Sequence, residues 1–169
     1  MVVDECKVQE EPNPCNRWSE TGITPVKRVK RDKRNQISVY GGLSMNTVYI
    51  TSYFCERQNS LSTIQFLNKV KVRRDRYVLE TGLEYPIIIV WDNARWHKSK
   101  EIREWLEKNP NTVEMINTPP YSPELNPQEH VWKALKQYLS KRKTHEHVFK
   151  EVIQMSRRFL RNRFQYKFF

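Results

Sequence analysis

Hydrophobic positions change period along this 169-residue chain, and the changes outline its elements. Val2 and Val3 make a very short apolar start, followed by a polar stretch with Pro12, Pro14, Gly22 and Pro25 that reads as loop. Ile37, Val39, Gly41 and Leu43 then alternate with polar or small residues. Val48, Ile50, Ser52 and Phe54 do the same beyond a turn at Ser44, Met45 and Asn46, which predicts an antiparallel hairpin. From Ser60 the spacing lengthens, and Leu61, Ile64 and Leu67, widened by Phe66 and Val70, predict a helix. Residues 86 to 91, PIIIVW, are an unbroken apolar run with Pro86 at the start, where its missing N–H is tolerated, and predict a buried central strand. Ile102, Trp105 and Leu106 mark a helix over 99 to 108 and Val113 to Ile116 a strand, so the segment reads as a βαβ crossover with parallel strands. After a loop over 118 to 127 a helix is expected, with Asn126 as N-cap, Pro127 at its first position and Glu129 at its third. Its stripe is Val131, Trp132, Leu135, Tyr138 and Leu139, and a final basic helix is expected over about 146 to 162. The pattern predicts an α/β fold, a mixed sheet flanked by helices, in one domain spanning residues 1–169.

Composition narrows the class. Hydrophobic residues are 38% of the chain but aromatics reach 12%, which argues against disorder. No apolar run is long enough to span a membrane, and Asp4 and Glu5 stand where a signal peptide would be basic and apolar, so a cytoplasmic protein with no membrane partner is expected. Cys6, Cys15 and Cys55 form no CxxC pair and are expected to be reduced thiols.

The charge is uneven. Lys and Arg number 30 against 19 Asp and Glu, a formal net charge of +11. Residues 27 to 34 (KRVKRDKR) hold six cations and one anion, and residues 141 to 169 hold nine cations and two anions, leaving the rest of the chain at −1. Such clustering suits a phosphate-binding surface, although a solvated charged face is the more common outcome for any one run. The candidate DNA contacts are Lys27, Arg28, Lys30, Arg31, Lys33, Arg34, Lys141, Arg142, Lys143, Arg157, Arg158 and Arg161. Aromatic residues interleaved with the last segment, such as Phe149 and Phe159, are read mainly as packing.

Three acids draw attention, each with an ordinary alternative. Asp92 follows the central strand at its carboxyl end, where open α/β sheets place ligands, or it forms an Asx-turn. Glu129 could close a capping box with Asn126. Asp4, near the chain start, could simply face solvent.

The combined motifs are more specific than any one residue. VVDE at 2 to 5, RW at 17 and 18, TGITP at 21 to 25, YGGLS at 40 to 44, IVWDNARWHKS at 89 to 99 and PPYSPELNPQEHVWKALK at 119 to 136 occur in this order. Thirty-six residues separate Asp92 from Glu129. In these blocks the chain resembles the catalytic domain of a DDE transposase of the mariner-like insertion-sequence group. The resemblance implies a ribonuclease-H-like fold, a mixed five-stranded sheet flanked by helices, in which Asp4 at the end of a first strand, Asp92 and Glu129 are all three catalytic metal ligands. It also implies Mg²⁺ or Mn²⁺, as two ions, and cleavage and strand transfer at transposon ends.

The chemistry agrees with the residue types. Clustered carboxylates repel unless a cation compensates, and Mg²⁺ prefers such hard oxygen ligands. Two ions about 4 Å apart can activate the attacking oxygen and stabilise the leaving one. Asn93, His97 and His130, next to these acids, are read as site support or as turn, packing and surface residues respectively. The resemblance implies DNA as partner, both transposon ends and target, and pairing as a homodimer, since two ends call for two sites. The helix-turn-helix region that precedes the domain in this family is expected to be absent, leaving an upstream-encoded DNA-binding half as a further partner. A DNA-binding remnant without catalysis and another ribonuclease-H-like nuclease remain the alternatives.

Overall fold

A computed structural model describes residues 1–10, 19–23, 35–46, 49–119, 126–140 and 149–161. Among them are strands β1 (Val2–Gln9), β2 (Gln36–Leu43), β3 (Ile50–Cys55), β4 (Ile87–Trp91) and β5 (Val113–Asn117). The α-helices are α1 (Ser60–Thr81), α2 (Lys100–Lys108), α3 (Gln128–Ser140) and α4 (Phe149–Arg161). The strand order is β3-β2-β1-β4-β5. The β1–β2 and β2–β3 pairs are antiparallel, and the β1–β4 and β4–β5 pairs are parallel. The expected mixed five-stranded sheet is therefore present.

The first strand is longer than its apolar start suggests. It pairs with β2 along its whole length, from Val2 opposite Leu43 to Gln9 opposite Gln36. Val2, Cys6 and Val8 are buried on one face, while Lys7 and Gln9 are exposed and mask the alternation. Asp4 thus lies within the strand rather than at its end.

Two cores sandwich the sheet. On one side Val3, Tyr40, Ile89 and Trp91 pack against Phe66, Leu67 and Val70 of α1 and Ile102 and Trp105 of α2. On the other, Cys6, Val8, Val39 and Leu43 pack against Val131, Trp132 and Leu135 of α3 and Val152 and Leu160 of α4. Tyr40 rotates α1 from its expected stripe. Its hydroxyl lies 3.1 Å from Ser62 Oγ and 3.0 Å from Thr63 Oγ1, so these two are buried and Leu61 is 64% exposed. The helix opens with an Asn59–Ser62 capping box and ends at Gly82, whose φ of 71° is the left-handed conformation of a helix stop.

β1, not β4, is the central strand; β4 lies between β1 and the edge strand β5 and is not buried throughout. Ile89 and Trp91 are in the core, whereas Ile88 is 47% exposed, because α3 and α4 cover the opposite face over β1, β2 and β3. A 3₁₀ turn over Arg95–Lys98, which the apolar pattern does not announce, links β4 to α2. Ser99 caps α2, accepting from the Ile102 N–H, and Asn126 Oδ1 accepts from Gln128 N–H at 3.0 Å at the start of α3. No helix among the described residues is long and apolar enough to cross a membrane.

Candidate active site

Register carries the first two acids to the same end of neighbouring strands. β1 and β4 run parallel with Val2 opposite Val90, and Val90 N–H donates to Met1 O at 2.9 Å. Asp4 lies two residues beyond Val2, and Asp92 two residues beyond Val90, just past the end of β4. Alternation sends the Asp4 side chain to the face covered by α3.

The third acid arrives with α3. Across the sheet Asp4 pairs with Gly41, and the first turns of α3 sit directly on that glycine. A Cβ at residue 41 would lie 2.5 and 2.7 Å from Trp132 ring carbons and would collide with the Gln128 amide. Only a glycine permits this approach. It lets the Trp132 indole N–H donate to Asp4 Oδ2 at 3.0 Å and places Glu129, in the first turn of α3, where its charge acts on Asp4. Burial first of all, then the charges of Glu5 and Glu129, push the Asp4 carboxyl up to about 7, against the Glu5 backbone N–H and the Trp132 indole, which favour the anion. On the same face, burial pushes the Cys6 thiol up to about 11.

Asp92 is engaged from the other side. Its Oδ1 accepts from Ala94 N–H at 2.9 Å, which is the Asx-turn of the ordinary reading, and lies 3.1 Å from His97 Nδ1. His97 is buried, stacked on Trp91 at 4.1 Å between ring centroids and 3° between planes, with Nε2 3.0 Å from Glu5 Oε1. Burial alone would lower the His97 pKa, but the hydrogen bond and charge of Glu5, with the backbone oxygen and charge of Asp92, together hold it above its ordinary value. Among the described residues, the side chains whose ligand atoms all lie within 4.8 Å of one another are Glu5, Asp92 and His97. The Asp92 carboxylate is thus turned toward the imidazole, and the structure does not gather Asp4 and Glu129 around it.

The remaining sequence candidates separate. Asn93 Nδ2 donates to Thr118 O at 2.8 Å, tying the loop after β4 to the chain just past β5. His130 is exposed on the first turn of α3. Arg157, Arg158 and Arg161 are exposed on α4 and line one surface pocket with Gln154, and the Arg157 guanidinium lies 5.1 Å from the Phe54 ring centroid. Lys27, Arg28, Lys30, Arg31, Lys33, Arg34, Lys141, Arg142 and Lys143 lie outside the described residues, as does Cys15. Cys6 and Cys55 are free thiols.

Three contributors escaped the sequence reading: Glu5, Gly41 and Trp132 as a hydrogen-bond donor. Glu5 could have been found by applying period two to VVDE, which sets it beside Val3 and opposite Asp4. Trp132 stands three residues after Glu129, hence on a neighbouring helical position.

The strand order β3-β2-β1-β4-β5 with helices on both faces is a ribonuclease-H-like arrangement. The family model for the DDE superfamily endonuclease matches residues 1–150, and the chain belongs to that family. It is 30% identical over 133 residues to the insertion element IS630 uncharacterized 39 kDa protein of Shigella sonnei, covering 78% of this chain and 36% of that protein. It is 29% identical over 85 residues to the transposable element Tcb2 transposase of Caenorhabditis briggsae, covering 43% of this chain and 30% of that protein. The chain therefore matches about a third of the length of these relatives. The fold is similar to that of Mos1 transposase in its paired-end complex with the left transposon end, with a TM-score of 0.64 and 15% identity over 94% of this chain and 46% of that one. It also resembles the catalytic domain of Mos1 mariner transposase, with a TM-score of 0.56 at 15% identity over 94% of this chain and 69% of that one.

Proposed function

We infer that residues 1–169 form a transposase catalytic domain that cleaves DNA strands at transposon ends and joins them to target DNA. The observation that supports this reading is the match of the DDE superfamily endonuclease model to residues 1–150, which include Asp4, Asp92 and Glu129, on a sheet whose parallel β1–β4 register carries Asp4 and Asp92 toward the same end.

The donor set fits a divalent cation. Asp4, Asp92 and Glu129 offer only hard oxygens, and Asp4 is costly as an anion because it is buried beside two other carboxylates. Structures of the Mos1 catalytic domain contain Mg in one case and Mn in another. Bound at these three residues, Mg²⁺ or Mn²⁺, as one ion or a pair, would neutralise the acids and make the attacking oxygen nucleophilic.

The residues of the chain account for the rest. Trp132 holds one Asp4 oxygen and so sets the direction of the carboxylate, and His97 holds Asp92. Cleavage adds a water oxygen to phosphorus and breaks the bond to the 3′ oxygen, which leaves with a proton as a hydroxyl. In strand transfer that hydroxyl attacks a target phosphodiester, and a new bond replaces the one broken. Arg157, Arg158 and Arg161 are suited to backbone phosphates, with the basic residues of 27–34 and 141–143 as further contacts. Paired copies would supply the two sites that two ends require, and an upstream-encoded half would read the end sequence.

The test is incubation of the chain with Mg²⁺ or Mn²⁺ and DNA carrying the element's ends. Metal-dependent nicking is expected, lost by more than about 100-fold in Asp92→Ala, beyond what an outer-sphere partner contributes. Unchanged nicking in Asp92→Ala sinks the assignment. Salt-sensitive binding without any cleavage would support the DNA-binding remnant instead.

A further inference from the structure

Glu5 follows a proposed metal ligand but points away from it, through the sheet to the side of α1 and α2. Its side chain is only 6% exposed, and a carboxylate so placed needs a partner. That partner is His97, whose Nε2 lies 3.0 Å from Glu5 Oε1. The other ring nitrogen, Nδ1, lies 3.2 Å from the Asp92 carbonyl oxygen and 3.1 Å from Asp92 Oδ1. A carbonyl oxygen only accepts, so Nδ1 carries a hydrogen. Between Nε2 and Glu5 one proton is shared, whether the pair is imidazolium with carboxylate or neutral ring with carboxyl. In both cases the ring plane is set by Trp91 and its rotation by Glu5, and the Nδ1–H is aimed at Asp92.

Asp92 needs that aim. Its side chain is 58% exposed on a loop, and the restraints described for it are the Ala94 N–H and the imidazole. An exposed aspartate loses side-chain entropy when a ligand fixes it, and a ligand group already held in place loses less.

We propose that Glu5 is a positioning residue for the metal site: through His97 it holds the Asp92 carboxylate in one orientation. The proposal rests on Asp92 being a metal ligand. It extends by one residue the arrangement in which an outer partner orients a histidine, here with the histidine orienting an acid in turn.

Direct binding of Mn²⁺ to the 169-residue chain, followed by the electron paramagnetic resonance of free Mn²⁺, tests it in the wild type, Asp92→Asn, Glu5→Gln, His97→Gln and the Glu5→Gln/His97→Gln double variant. Glu5→Gln is expected to weaken binding by roughly 10-fold or more. The double variant should bind no more weakly than His97→Gln alone, because Glu5 acts only through the ring. Glu5→Asp keeps the charge but shortens the reach, should weaken binding as well, and serves if Glu5→Gln does not fold. Wild-type affinity in the Glu5 variants, or losses that multiply in the double variant, overturn the proposal. If Asp92→Asn loses Mn²⁺ while the Glu5 variants keep it, the Glu5 proposal falls alone. If Asp92→Asn itself binds like the wild type, the ligand reading falls and takes this proposal with it.

Discussion

Asp4 and Glu5 are adjacent on β1, yet the two faces of the sheet treat them differently. Glu5 meets an imidazole that it and Asp92 keep inclined to carry a proton, so its burial is matched by a partner. Asp4 meets a neutral indole, with Glu129 and Glu5 nearby, and its carboxyl is driven up to about 7. One face completes its own electrostatics, and the other leaves an acid whose charge is best balanced by something from outside. The difference teaches that a poorly compensated carboxylate is more informative about function than a well-paired one.

The comparison can be broken most directly at Asp4. Because its carboxyl sits well above the ordinary value of about 4, the folded chain keeps a proton there that the unfolded chain has lost. Stability from this group is therefore present at low pH and falls as pH rises through about 4 to 7, with the full cost felt at pH 8. In the presence of a chelator, Asp4→Asn should stabilise the chain at pH 8 by roughly 2–4 kcal/mol while abolishing nicking. Urea unfolding at pH 5 and pH 8 measures the gain, and an Asn variant less stable at pH 8 would show that Asp4 is already compensated.

A smaller effect is expected at Gly41. In Gly41→Ala the new methyl group meets the buried Trp132 ring, so α3 must shift away from β1. A destabilisation toward the upper end of about 1–3 kcal/mol is expected in urea, together with a loss of nicking larger than stability explains. A fully active Gly41→Ala would mean that Glu129 need not sit so close to the sheet.

Cys6 sharpens the comparison without any cost in stability, as a reporter two residues along the Asp4 face. Burial above all pushes its thiol up to about 11, so at pH 8 its alkylation should be on the order of 100-fold slower in the folded chain than in urea. Peptide mass spectrometry follows that residue by itself. Equal rates in both states would show that the face between β1 and α3 is open.

Much of the fold was legible because hydrophobic period carries it. The hairpin, the apolar run at 87–91 and the helices after Ser60 and Asn126 occur where their patterns put them, within a few residues. β1 does not look apolar because its outward residues Lys7 and Gln9 are polar and two of its inward residues, Asp4 and Glu5, are acids. Leu61 was misplaced because a hydroxyl network around Tyr40 buries Ser62 and Thr63 instead, and periodicity alone does not see hydrogen bonds. At the site, Asp4, Asp92 and Glu129 were named from motifs, but the turn of Asp92 toward His97 was not readable. It depends on Glu5 reaching the same ring from 92 residues away in the chain. Gly41 was read as one more small residue in an alternating strand, since its role comes from a helix nearly ninety positions later.

The start of α3 has an electrical consequence. A helix N-terminus carries the equivalent of roughly half a positive charge from its aligned peptide dipoles. Glu129 stands in that first turn, and the Gly41 contact sets the same turn down on β2, opposite Asp4. The backbone therefore contributes a fixed, partial counter-charge on the Asp4 face, one that cannot diffuse away and needs no side chain to supply it. Any change that lifts α3 from the sheet removes part of this built-in cation along with the acid it carries.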